Sequence, residues 1–450
     1  MSATQETRTP TATLVRGARL LGEDPVDLLL ADGRVAEVAP AGTASAGAGA
    51  RVVEADGLVA LPGLVDLHTH LREPGREDAE TVLTGSRAAA VGGYTAVLAM
   101  ANTSPVTDTA EAAERVHDLG RAAGLVDVHP VGAVTKGLAG EELAELGLMA
   151  RSRARVRVFS DDGRCVSDAR VMRRALEYVK AFGGVVSQHS QDPDLAGPTA
   201  CCHEGEVSGR LGLPGWPGVA EEVIVARDVV LARHTRSRVH VAHVSTAGSV
   251  EVLRWAKAQA ARDGGWSVTA EVTPHHLLLT TDLLATEGGG YDPTYKVNPP
   301  LRPDEDVAAL REALADGTVD AVATDHAPHA RHDKQHAFVD AAFGMLGLET
   351  ALPVVSTVMV RSGAMTWRDV ARVMSSAPAR IAGLEGQGRD LAAGEPANLV
   401  LVDPDATTTV DRDASVSLSR NNPWHGRELT GAVHATFLRG VPTVLEGELA

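Results

Sequence analysis

Eight short β-rich runs alternate with longer helical segments between Gly63 and about Ala382, and this rhythm predicts a (β/α)8, TIM-like barrel of the α/β class. Strand-like runs broken by Gly, Pro and Asp turns recur at both ends of the chain. They predict a small β-sandwich built from the two termini. The division implied is 1–61 and 385–450 for the two parts of that sandwich and 62–384 for the barrel. Polar residues able to bind a metal close several of the central runs, which is a third sign of a barrel whose site lies at one rim.

In chain order, Leu14–Ala60 supplies the short runs Val26–Leu30, Val35–Val38 and Arg51–Ala55, with Ala41–Ala50 a low-complexity Ala/Gly/Ser loop. The eight central runs are Leu64–His70, Tyr94–Asn102, Asp127–Thr135, Val156–Asp161, Val185–Gln191, Val239–Val244, Val268–Thr273 and Val319–Asp325. Between them Glu111–Ala123, Asp168–Phe182, Ala220–His234, Ser249–Arg262 and Asp304–Asp316 carry the periodicity of amphipathic crossover helices. Asn398–Val402 and Val433–Leu445 return to the strand-and-turn style of the first sixty residues.

Hydrophobic residues make up 44% and charged residues 22% of 450, ordinary for a soluble globular protein and enough for a sizeable core. Aromatics are only 3%, so that core must rest on Ala, Val and Leu. A net charge of −17 argues against nucleic-acid binding, and any positives that bind an anionic substrate must be local. Three cysteines, two of them the adjacent Cys201 and Cys202, cannot form a disulfide framework, which favours a reduced interior. Met1–Thr13 is polar with no apolar signal region, and Ala88–Ala101 is too short and glycine-broken to span a bilayer. The expectation is a cytoplasmic protein without membrane contact.

Side chains in a strand alternate faces, so His68 and His70 at the end of the first run can reach one cation. Asn102 ends the second run, Asp161 and Asp162 the fourth, His189 the fifth, His243 the sixth and Asp325 the eighth. Four histidines and two aspartates at one rim suit a borderline cation such as Zn2+. Each histidine alone is better read as a hydrogen-bonded core residue; their joint placement at one rim is not explained that way.

The stretches Asp66-Leu67-His68-Thr69-His70-Leu71-Arg72-Glu73-Pro74-Gly75, Met100-Ala101-Asn102-Thr103 and Phe159-Ser160-Asp161-Asp162-Gly163 carry a resemblance. So do Val241-Ala242-His243-Val244-Ser245, Tyr295-Lys296-Val297-Asn298-Pro299-Pro300-Leu301-Arg302 and Thr324-Asp325-His326-Ala327-Pro328-His329. The chain resembles the amidohydrolase superfamily and, within it, the dihydroorotase family of bacterial class I type, from about Gly57 to Leu384. The resemblance implies two zinc ions, one held by His68, His70 and Asp325 and the other by His189 and His243. Asp161 would bridge them, with its neighbour Asp162 the rival, since only one of two strand neighbours can face the metals. Relatives that bridge with a carbamylated lysine differ here, because no lysine lies near Asp161.

The resemblance further implies the reversible cyclisation of N-carbamoyl-L-aspartate to dihydroorotate, in pyrimidine biosynthesis. A water held by two cations is acidified towards hydroxide, and Asp325 would take its proton and return it to the departing ring nitrogen. Arg72, Asn102 and His329 would bind the exocyclic carboxylate, Arg72 through its planar fork, while Asn298, Phe343 and Gly344 would touch the ring. The resemblance leaves open a homodimer and an association with aspartate transcarbamoylase. His275 and His276 read as structural, Cys201-Cys202-His203-Glu204 as part of a Gly/Pro-rich loop shaping the pocket, and Ala330–Ala342 as a mobile segment over the site. The rival readings are another cyclic amidase (hydantoinase, dihydropyrimidinase or allantoinase) and a non-catalytic scaffold for the transcarbamoylase. Arg72 with Asn102 and the missing lysine speak against the amidases, and a full ligand set against the scaffold.

Overall fold

The computed structural model describes residues 12–47, 49–286 and 290–450, so most of the polar segment Met1–Thr13 lies outside the described residues. The N-terminal strands are β1 (Ala12–Leu20), β2 (Pro25–Ala31), β3 (Arg34–Pro40), β4 (Arg51–Glu54) and β5 (Val59–Pro62). The central ones are β6 (Leu64–Thr69), β7 (Tyr94–Ala99), β8 (Asp127–Pro130), β9 (Val158–Phe159), β10 (Val185–Gln188), β11 (Cys202–His203), β12 (Gly215–Trp216), β13 (Arg238–Val241), β14 (Ser267–Val272) and β15 (Ala321–Val322). β16 (Leu399–Thr409), β17 (Glu428–Leu438), β18 (Val441–Leu445) and β19 (Glu448–Leu449) end the chain.

The central strands form two parallel sheets, β6-β7-β8 and β15-β14-β13-β10-β9, as expected where a helical crossover follows each strand. Single parallel bridges, Gly132 to Phe159 and Thr69 to His326, join these sheets at both margins. The crossover helices begin where the sequence offers a cap. Thr109, Asp168 and Thr246 accept amide hydrogens in the first turns of helices Ala110–Ala123, Ala169–Val179 and Ala247–Asp263. Helix Asp304–Asp316 coincides with its expected span, whereas Asp168–Phe182 divides into an α-helix and the single 3-10 turn Lys180–Phe182.

The central strands are shorter than their apolar runs, because the ladder ends before the ligand-type residues do. β9 keeps only Val158 and Phe159 of the run Val156–Asp161. An apolar cluster of Leu98, Met100, Val131, Val158, Val185, Ala321 and Ala323 lies among the strands, closed by Ile381 and Ala382. The larger cluster, with Tyr94, Phe159, Leu176 and Leu314, lies between strands and helices.

The strands of the two termini join in one nine-stranded sheet, ordered β19-β18-β17-β16-β5-β1-β2-β3 with β4 paired to β1. β1 pairs with β4 through Thr13–Arg16 and with β5 through Arg19–Leu20, with a bulge between Val15 and Ala18. Gly17 sits in that bulge at φ +76°, where a β-carbon would collide with the Asp56 carboxylate. Leu28, Leu30 and Val35 meet Leu399, Leu401 and Phe437 in one apolar cluster of this sheet. Among the described residues, no helix is long and apolar enough to cross a membrane.

Candidate metal centre and its surroundings

Each residue of the centre lies at or just beyond the C-terminal end of a parallel strand: His68 near the end of β6 and His70 just after it, Asp162 after β9, His189 after β10, His243 after β13 and Asp325 after β15. Buried Asp66 fixes the first and last of these together. Its carboxylate accepts from Thr69 Oγ1 (2.6 Å), Thr324 N (2.9 Å) and Thr324 Oγ1 (2.5 Å), so β6 is tied to the residue preceding Asp325. Arg72, His243 and Asp325 all have positive φ, at 58°, 31° and 46°. Such backbone costs about 1–3 kcal/mol per residue and persists where the surroundings over-determine it, typically at functional sites.

The inward-facing atoms are closely spaced. Asp162 Oδ1 lies 3.2 Å from His68 Nε2, 3.3 Å from His189 Nδ1 and 3.5 Å from His243 Nε2, while Oδ2 lies 3.4 Å from His70 Nε2. Asp325 Oδ1 is 3.1 Å from His70 Nε2 and 3.5 Å from His68 Nε2. Ligands about 2.0–2.1 Å from a tetrahedral zinc stand about 3.3 Å from one another, and these separations fall around that value. His68 Nε2 and Asp162 Oδ1 are buried and make no hydrogen bond. Buried polar atoms are rarely left so, and a cation between them would satisfy both. The residues present therefore fit a metal.

The outer nitrogens of three rings are held by acceptors. His68 Nδ1 donates to Glu271 Oε1 (3.0 Å), His70 Nδ1 to Asn102 Oδ1 (2.9 Å) and His189 Nε2 to Gln191 Oε1 (2.8 Å). Each acceptor fixes a tautomer whose other nitrogen presents a lone pair to the centre. Burial opposes charge on Glu271, but hydrogen bonds from His240 and His68 outweigh it and hold this carboxyl at about 2. Burial likewise opposes charge on Asp162 and Asp325, yet His68 beside them holds both below the usual carboxylate range, Asp162 well below it.

Asp161, expected to bridge two metals, points elsewhere. Its carboxylate accepts the amides of Val134 (2.7 Å) and Thr135 (2.9 Å) and the Thr135 hydroxyl, pinning the turn after β8. Asp162 takes the central place instead. Alternation explains the exchange: Val158 packs in the cluster among the strands and Phe159 in the cluster outside them, so counting on in twos from Val158 reaches 162.

Arg72 is half-buried beside the centre, its Nε donating to Pro328 O (3.0 Å), and burial lowers its guanidinium to about 10. His329 donates from Nε2 to Phe343 O (2.7 Å) at 3.4 Å from Arg72 Nη2. Asn102 also approaches Asp162 Oδ2 through Nδ2 (3.3 Å), so it braces two members of the centre. Asn298 donates to Gln191 Oε1 (3.1 Å) and keeps a buried Oδ1 without a partner. Gly344 has φ +135°, where a β-carbon would stand 2.7 Å from Ala327 Cβ and 3.0 Å from His329 Nε2, so only glycine fits.

Glu271, Gln191 and Asp66 are the residues that sequence reasoning missed. Glu271 and Asp66 carry a usable signal, since an acid inside an apolar strand needs partners. His276 bonds Thr273 Oγ1 (2.8 Å), as a structural histidine does, whereas the buried Nε2 of His275 has no partner. Cys201 and Cys202 are free thiols packed with Val207, Leu284 and Phe338 rather than at the centre. The segment expected to be mobile, Ala330–Ala342, is anchored: Phe338 is buried, Asp333 pairs with Arg76, and Lys334 is bonded to three carbonyls.

Comparison with known proteins places the chain among metal-dependent hydrolases. Residues 57–249 match the family described as dihydro-orotase-like and residues 219–443 the amidohydrolase family. A Streptomyces coelicolor protein named dihydroorotase is 60% identical over 97% of this chain and 99% of its own. One from Mycobacterium tuberculosis, of the same name, is 55% identical over 97% and 99%. In structure the chain is similar to an L-hydantoinase (dihydropyrimidinase) of Arthrobacter aurescens, with a TM-score of 0.84, 26% identity and 97% of each chain covered. A dihydropyrimidinase of Brevibacillus agri, at a TM-score of 0.82, 22% identity and 98% and 96% coverage, shares the fold.

Proposed function

The chain belongs to the dihydroorotase family of amidohydrolases, and from that membership we propose that it cyclises N-carbamoyl-L-aspartate reversibly to (S)-dihydroorotate and water in pyrimidine (UMP) biosynthesis. The observation that carries the chemistry is the set of inward-facing donors on His68, His70, Asp162, His189, His243 and Asp325, spaced as around a tetrahedral ion. The two bridges that join the parallel sheets support a closed (β/α)8 barrel, and the site then lies at its C-terminal rim. The sheet built from the strands of Ala12–Pro62 and Leu399–Leu449 is read as a unit beside it.

His68, His70 and Asp325 would hold one zinc, His189 and His243 a second, with Asp162 shared between them. Bound there, such ions would supply Lewis-acid chemistry, lowering the pKa of a water and polarising a carbonyl. Asp325 would accept the proton of the attacking water during ring opening and deliver it to the departing ring nitrogen; in ring closure it would work in reverse. Arg72 spends its Nε on Pro328 O and so directs its terminal nitrogens to the exocyclic carboxylate. The free Oδ1 of Asn298 accepts a ring N–H. Burial of His70 (6% exposed) and Asp325 (5%) keeps bulk water from the transferred proton.

Hydantoinases share the fold, so substrate choice is what the decisive assay must read. Metal-replete protein should consume dihydroorotate, followed by ultraviolet absorbance, and leave hydantoin and allantoin largely untouched. Preference for either of the latter would replace this reading with the cyclic-amidase one.

A further inference from the structure

Lys334 lies in the segment between His329 and Gly344, and its ammonium lies 3.2 Å from Lys296 O, 2.8 Å from Ala342 O and 2.9 Å from Gly344 O. An ammonium has three hydrogens, and all three are used. Backbone bonds close the same knot, Gly344 N to Lys296 O (2.9 Å) and Ala342 N to Asp333 O (3.0 Å). Lys296 reciprocates: its Nζ donates to Val339 O (2.8 Å) and stands 4.3 Å from the centroid of the Phe343 ring. Phe338 and Ala341 are the buried apolar residues between 331 and 342, too little apolar area to fix the segment alone. The Gly344 carbonyl also accepts from Asn421 Nδ2 (3.1 Å), and Phe343 O accepts from His329 beside Arg72.

We propose that Lys334 is a positioning residue: its ammonium locks residues 331–344 against Lys296 and thereby sets the Phe343–Gly344 backbone and His329 that form the substrate wall. This rests on the dihydroorotase reading for the identity of the substrate but not for the lock itself. Burial and the nearby Lys296 lower the Lys334 ammonium to about 7, with Asp292 opposing, so the three carbonyls hold a cation that solvent no longer stabilises. Without that charge-assisted cage the segment would open, and substrate would have to re-form the wall on binding, a cost that appears in KM.

The test compares wild type with Lys334→Met and Lys334→Gln, all metal-replete and full-length, in the ring-closing direction at about pH 6, where the ammonium is charged. KM for N-carbamoyl-L-aspartate should rise about tenfold or more while kcat changes far less. A second readout needs no turnover. Trp216 packs edge-on to Phe343 with centroids 6.2 Å apart, so opening of the segment should red-shift its emission, assigned by Trp216→Phe in each background. Unchanged KM and unchanged emission in both variants would overturn the lock, as would a fall in kcat as large as that in kcat/KM, with metal released. If wild type fails on dihydroorotate altogether, the functional reading falls and the emission still decides the role of Lys334.

Discussion

Asp325 faces His68 and His70, and the proposed mechanism gives it two duties, metal ligand and acid–base group, that a single substitution can separate. Asp325→Asn keeps the shape and a weak ligand oxygen but cannot carry a proton, so turnover should vanish in both directions while substrate still binds. Retention of more than a few per cent of the wild-type rate, with metal content confirmed, would assign the proton to another group. The neighbouring aspartates give a second contrast. Asp162→Ala should strip metal, whereas Asp161→Ala should keep it and lose stability, because it frees the amides of Val134 and Thr135; metal analysis and thermal melts of the pair decide between them. Arg72→Met should lower kcat/KM for dihydroorotate roughly thirty-fold or more, a desolvated charge pair being worth about 2–5 kcal/mol. Activity on dihydrouracil, which has no carboxylate, should start low and hardly change; equal losses on both substrates would mean damage to the metal centre. At this scale the residues that gather at the centre were legible, as polar side chains ending apolar runs. Which of Asp161 and Asp162 faces inward was not, because alternation fixes relative faces and needs a packed anchor such as Val158 to make them absolute.

Among the elements, β14 contributes most to the centre without supplying a ligand. Glu271 sits in it with zero exposure and takes hydrogen bonds from His68 and His240 at 3.0 Å each. Glu271→Gln retains the size but weakens the hold on the His68 tautomer, and second-layer partners of this kind are worth about 10–100-fold in metal affinity. Competition with a chelator of known affinity should show that loss with little change in secondary structure; an unaltered metal affinity would make Glu271 a packing residue only. The crossover helices were legible because a capping Thr or Asp and a helical period agree at the same residues, as at Asp168 and Thr246. The strands were legible in number and order but not in length. Apolar character continues past the assigned strand ends, where single backbone bonds carry on, as Met100 N to Thr69 O and Val131 N to Ala99 O show, and the side chains pack in the cluster among the strands.

The whole molecule brings one rim together from segments more than 250 residues apart, with Asp66 bonded to Thr324 and Thr69 bridged to His326. Its two ends meet in a single nine-stranded sheet, where the strand-and-turn style of both flanks predicted a β-sandwich, and β1 passes from pairing with β4 to pairing with β5 across the bulge at Gly17. This arrangement gathers two carboxylates and four imidazoles in a buried space, and charges so placed need a counter-charge. Metal bound there would therefore act on stability as well as on catalysis. A ligand that binds only the folded state adds about 2.7 kcal/mol when free at a hundred times its dissociation constant, and two sites should contribute separately. Protein purified without chelator should contain close to two divalent ions per chain by elemental analysis, and stepwise chelation should lower Tm in two stages, each reversed by adding zinc. A stoichiometry of one, unchanged on adding zinc, would remove the shared role of Asp162 and leave His189 and His243 as a hydrogen-bonded pair 2.9 Å apart.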